Sequence, residues 1–144
     1  MTQSPLPVKS IRTLHDLTLD PHNANRGTPR GHHALAHSLQ ELGAGRSIVA
    51  DRTGHVIAGN KTLEQATQLD LPVHVIRSDG TALVVVQRTD LDLTGDDRAR
   101  RLAVADNRAS ELGLDWDVAQ LKTQLAEGLD LTEFWNDADE VLSG

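Results

Sequence analysis

The chain contains no cysteine and no tyrosine, and only three of its 144 residues are aromatic: Trp116, Phe134 and Trp135. Without cysteine there can be no disulfide, no thiolate zinc site and no cysteine nucleophile. All three aromatics fall in the last quarter, so the main core has to be aliphatic. The same scarcity excludes a face of aromatic platforms for stacking single-stranded nucleic acid. No apolar run approaches the ~18 residues of a membrane helix, and no signal-peptide pattern opens the chain. These absences predict a soluble protein of a reducing, cytoplasmic compartment with no membrane contact. The length suits one ordinary domain.

Charge is unevenly placed. The net formal charge is −7. Residues 1–110 carry 13 Lys+Arg and 12 Asp+Glu, whereas residues 111–144 carry one Lys and nine Asp+Glu. The acidity therefore belongs to the C-terminal segment. A uniformly basic DNA-binding surface is absent, although a local basic patch within the first 110 residues is compatible with the count.

The pattern divides into a leader (1–7), a domain (8–112) and a C-terminal helix with an acidic tail (113–144). Within the domain, Val8–Thr13 reads as a strand and Leu14–Pro21 as a turn. Residues 22–31 read as a polar loop with two Gly and two Arg. Leu35, Leu39 and Leu42 then recur at helical spacing up to a stop at Gly43. Ser47–Ala50 and His55–Ala58 flank Asp51-Arg-Thr-Gly54 and predict a hairpin. Leu63, Ala66 and Leu69 predict a helix ending before Pro72. Val73–Ile76 and Leu83–Val86, around Asp79-Gly80, predict two further strands. Asp96–Leu112 and Trp116–Ala126 predict two helices, the second stopped at Gly128. The order predicts an α/β or α+β domain with a small mixed sheet and flanking helices.

The sharpest local feature is Ala58-Gly-Asn-Lys-Thr62. A strand ends, a glycine turns the chain, and a helix begins with unpaired N–H groups and the positive end of its dipole. Lys61 adds a full charge there, where it suits a phosphate better than it suits the helix. The alternative is a plain helix start capped by Asn60, with Lys61 solvated. Gly54 and Gly59 are spaced like the glycines of a Walker A loop, but His55–Ala58 is a strand pattern, which excludes that motif. His32, His33 and His37 lie on or beside the first helix. His33, His37 and Glu41 share a face that could begin a metal site, and a solvent-facing polar stripe explains them more simply. Arg26 and Arg30, in the glycine-containing loop, suit phosphate oxygens; an ordinary polar connector explains them slightly better. Asp97 to Arg108 reads as a salt-bridged helix face, in which Asp106 and Asn107 supply oxygens of the kind Mg²⁺ accepts when a nucleotide supplies the rest.

Three segments together resemble the ParB/sulfiredoxin-like fold, in particular the ParB N-terminal domain of phages and DNA-methyltransferase-associated proteins. They are Leu19-Asp-Pro-His-Asn-Ala-Asn-Arg26, Ile48-Val-Ala-Asp-Arg-Thr-Gly-His-Val-Ile-Ala-Gly59 and Ala105-Asp-Asn-Arg108, the last followed by Trp116-Asp117 and Leu121. The likeness covers residues 8–118.

The resemblance implies nucleotide binding with Mg²⁺, the nucleotide being CTP or ATP. It implies a pocket built by Arg26, by Gly59, Asn60, Lys61 and Thr62, and by Asn107 and Arg108, with Asp106 acting through the metal. If the chain is an enzyme, the implied activity is slow NTP hydrolysis. In these relatives the phosphate box ends in two arginines or in His-Arg; here Lys61 keeps one charge and Thr62 replaces the final Arg. Sulfiredoxin chemistry is excluded by the lack of cysteine. No reader helix-turn-helix follows, so duplex DNA should bind weakly and without sequence preference, and a role in DNA transactions would run through a partner.

Two other classes stay open: an adaptor that keeps the fold without nucleotide chemistry, and an NTP-dependent phosphotransferase or nuclease. The tail, with Phe134-Trp135 among acidic residues, reads either as a segment that docks on a protein partner or as a staple that packs back. A homodimer is left open.

Overall fold

A computed structural model describes residues 6–112 and 117–130, with the side chains of residues 107–112 outside the description. The chain is a mixed α+β domain. Its elements run α1 (Pro29–Leu42), β1 (Val49–Ala50), β2 (Val56–Ala58), α2 (Asn60–Gln68), α3 (Asp97–Leu112) and α4 (Val118–Ala126), after a single 3₁₀ turn at Leu14–Asp16.

Helix α1 begins earlier than the composition of its first residues suggests. The Thr28 hydroxyl accepts from the Gly31 amide at 3.0 Å, and Pro29 takes the first helical position, where its missing N–H costs nothing. Residues 29–31 are therefore helix rather than loop, and Arg30 stands on the first turn of α1. The helix ends at Gly43, whose amide still donates to the Leu39 carbonyl and whose φ of +80° turns the chain out of the helix. Arg88 closes the same end: Nη2 donates to the Leu42 carbonyl at 2.9 Å and Nη1 to the Ala44 carbonyl at 3.0 Å.

The hairpin is antiparallel, with Val49 opposite Ala58 and Ala50 opposite Val56. One carboxylate organises its turn. Asp51 Oδ1 accepts from the Thr53 amide, the Thr53 hydroxyl and the His55 amide. These bonds, led by the Thr53 hydroxyl, hold the Asp51 carboxyl below its usual range. Thr18 adds a parallel bridge to His55 on the other side of β2, where it accepts from the Val56 amide and donates to the Gly54 carbonyl.

Among the described residues the core is aliphatic. Leu14, Leu39, Val56, Leu63 and Ala66 form a buried cluster with Leu17, Leu35, Ile48, Leu69, Leu71 and Val73 packed around it. Helix α1 lies between α3 and α2. Leu121 of α4 is buried, and the Asp117 carboxylate caps that helix by accepting from the Gln120 amide.

Three expected strands do not form. Val8–Thr13 makes no ladder; the Lys9 amide donates to the Arg52 carbonyl. Val73–Ile76 and Leu83–Val86 also lie outside any ladder, and most of their aliphatic side chains are exposed, Leu83 at 91%. The turn between them forms as expected, with the Thr81 hydroxyl and amide donating to Asp79 Oδ1. A β-branched run reports local preference; a strand also needs a partner edge, which the run cannot report. Residues 1–5 of the expected leader, Trp116, and Phe134-Trp135 with the tail lie outside the described residues.

Candidate functional site

The start of α2 is the meeting point of three parts of the chain. Gly59 joins β2 to α2 at φ +105° and ψ 23°, a left-handed conformation that side chains disfavour. A Cβ at this position would stand 3.0 Å from Ile48 Cγ1 and 3.3 Å from Ile48 Cα, so the close approach to β1 also calls for glycine. No side chain caps the helix at its N-cap position. Asn60, the expected cap, is instead turned away: its Oδ1 accepts from the Asp20 amide at 2.8 Å. This bond fastens the Leu19–Arg26 loop to the first residue of the helix.

That loop is shaped by its own asparagines. Asn23 Oδ1 accepts from the Asn25 amide and Asn25 Oδ1 from the Gly27 amide. Helix α4 braces it from outside, since Gln120 Nε2 and Gln124 Nε2 both donate to the His22 carbonyl, at 3.2 and 3.0 Å, and the Asp117 amide donates to the Ala24 carbonyl. The loop ends at Gly27, with φ +74°. A Cβ built there would lie 2.6 Å from His32 Nε2 and 3.0 Å from Lys61 Cε. Gly27 thus lets the loop settle directly against the Lys61 stem and the His32 ring.

Burial lowers the Lys61 pKa below the usual lysine value, opposed only in part by Glu64 one turn on. A partly desolvated ammonium at a helix N-terminus is an unfavourable placement for the isolated protein.

Thr62 faces another way. With Leu35, Leu39, Arg46, Leu102 and Asp106 it lines a shallow depression of about 20 Å³, space for a water molecule and far less than a nucleotide fills. Asp106 of α3 is clasped there by Arg46: Nη2 donates to Oδ2 at 3.0 Å and Nε donates to Oδ1. The pair raises the Arg46 pKa above its ordinary value. Sequence reasoning had no signal for Arg46, which stands 60 residues from its partner. Nor did it single out Gly27 or the Asp20–Asn60 bond, since both depend on long-range approach.

Of the residues expected at the site, Gly59, Asn60, Lys61 and Thr62 form the first turn of α2, and Arg26 immediately precedes Gly27 beside Lys61. Thr62 and Asp106 line the same depression. Asn107 and Arg108 continue α3 beyond Asp106, with side chains outside the described set. His33 and His37 are exposed on α1, and no group of three metal-ligating side chains occurs among the described residues. No described helix is long and apolar enough to cross a membrane. Comparison with family models, with curated proteins and with solved structures gives no match.

Proposed function

We propose that this chain is a ParB-like nucleotide-binding domain that holds the phosphates of CTP or ATP at the start of α2. The observation that supports the reading is the approach of the Leu19–Gly27 loop to the first turn of α2, with α3 reaching the other face of that turn at Thr62. The Asp20 amide is tied to Asn60, Gly27 lies against Lys61, and Asp106 shares a depression with Thr62. Backbone N–H groups of the first turn and the Lys61 ammonium are the anion-binding groups. Arg26 would add positive charge from the loop, and the family resemblance also implies Arg108.

A bound triphosphate would bring Mg²⁺, which would offset part of its charge. Asp106 would be the oxygen donor toward that ion, and it would have to release Arg46 to reach it. With a net charge of −7, the chain would act in DNA transactions through a partner, with weak duplex binding confined to low salt.

A second reading, an adaptor that keeps the fold without nucleotide chemistry, is favoured by the Arg46–Asp106 pair and by Thr62 in place of an arginine. A thermal-shift comparison of the four nucleoside triphosphates, with and without Mg²⁺, separates the two. A ligand present at 100 times its Kd adds about 2.7 kcal/mol of stability. A shift with CTP or ATP that grows with Mg²⁺ supports the nucleotide reading; four flat responses support the adaptor.

A further inference from the structure

His32 occupies a position that the pattern of α1 reserves for an apolar residue. Counting back three from Leu35, it continues the stripe formed by Leu35, Leu39 and Leu42, whereas His33 and His37 are exposed. Its ring enters the protein, and Nε2 is fully enclosed. Yet among the described residues that nitrogen neither donates nor accepts a hydrogen bond. A leucine there would bury the same space without an unsatisfied polar atom, so the histidine costs stability that packing alone does not recover. Sites that depart from local packing logic in this way are where function is expected.

The direction of the ring gives the departure a purpose. The point where a Gly27 Cβ would stand is 2.6 Å from His32 Nε2 and 3.0 Å from Lys61 Cε, so the imidazole and the lysine stem share one small space under the loop. Any side chain at residue 27 would fill it. Gly27 itself is buried at φ +74°, which holds the peptide close over both groups.

We infer that His32 is a phosphate-contacting residue of this site, its Nε2–H donating to an anionic oxygen once Lys61 has swung outward toward the same ligand. The inference rests on the nucleotide reading and names a contact group on α1 that the reading did not contain. The chemistry suits the role. The neutral Nε2–H tautomer and the imidazolium both donate from Nε2, and neither repels an anion. Without ligand, the Lys61 stem and the Gly27 peptide cover the ring. With ligand, the ammonium moves to the phosphate and the nitrogen gains the partner it lacks. The ligand class is a phosphate chain, from a nucleotide or from inorganic triphosphate.

The test is isothermal titration of the full chain with CTP, ATP and inorganic tripolyphosphate, comparing wild type, His32→Leu and Lys61→Ala, with thermal melts of each. His32→Leu should weaken tripolyphosphate about tenfold or more, the loss of one charge-assisted hydrogen bond, while its melting temperature stays level or rises. In wild type the His32 ring nitrogen resonances, followed by NMR, should move as tripolyphosphate is added. If wild type and Lys61→Ala behave as the nucleotide reading expects but His32→Leu binds unchanged, or the ring resonances stay still, the His32 assignment is overturned alone. If wild type binds neither nucleotides nor tripolyphosphate at millimolar concentration, the nucleotide reading falls and this inference with it.

Discussion

The Arg46 guanidinium holds the Asp106 carboxylate in a two-point grip across 60 residues of chain, joining the segment before the hairpin to the middle of α3. Both side chains keep partial access to water, at 55% and 35% exposure, so the pair contributes little to stability. A double-mutant cycle with Arg46→Met and Asp106→Asn, read by urea denaturation, should give a coupling energy of about 1 kcal/mol or less. Its larger effect should be on ligand binding. Asp106→Asn should weaken nucleotide binding chiefly when Mg²⁺ is present, and titrations with and without the ion check this.

Gly59 and Gly80 both adopt positive φ, +105° and +83°, but only Gly59 has neighbours where a Cβ would go. Alanine at either position should cost about 1–2 kcal/mol from the left-handed backbone. Gly59→Ala should cost more than Gly80→Ala, because Ile48 has to shift as well. Urea midpoints of the two variants measure the difference.

Much of the helical part of the fold is legible in the sequence. The stripe of leucines in α1, the stop at Gly43, the Asp51–Gly54 turn and the glycine at the start of α2 each act through near neighbours, so a local pattern carries them. The strands at 73–76 and 83–86 failed as expectations because a run such as Leu83-Val-Val-Val86 states a preference and cannot supply an edge to pair with. The site divides the same way. Gly59 and Lys61 can be read from one pentapeptide, whereas Gly27 against His32, Asp20 against Asn60 and Arg46 against Asp106 exist only once distant segments meet.

The exposed aliphatic run should therefore behave as surface. Leu83→Ser should change stability by about 0.5 kcal/mol or less. Leu63→Ala, which empties part of the buried cluster under α2, should cost about 2–5 kcal/mol. Comparable losses at both positions, by chemical denaturation, would return residues 83–86 to the core.

Acid stability should carry the mark of Arg88. Its guanidinium donates to both Asp90 oxygens while also closing the end of α1, and the hydrogen bonding holds the Asp90 pKa at about 2, below the ordinary 3.8. A carboxylate lowered in the folded state contributes stability that is present above its unfolded pKa and lost as pH falls through the folded one. Wild-type stability should thus decline from near pH 3.8 toward about 2, and Asp90→Asn should flatten that part of the profile. An identical acid limb in the variant would remove Asp90 from the account.

The central claim is that Lys61 and the first turn of α2 hold a nucleotide's phosphates. Isothermal titration of CTP and ATP, each with and without Mg²⁺, into wild type and Lys61→Ala tests it most directly. The account predicts saturable binding of at least one nucleotide by wild type, weakened by about 1–3 kcal/mol in Lys61→Ala whether or not the metal is present. Absence of binding by wild type at millimolar concentration, or unchanged affinity in Lys61→Ala, would contradict it.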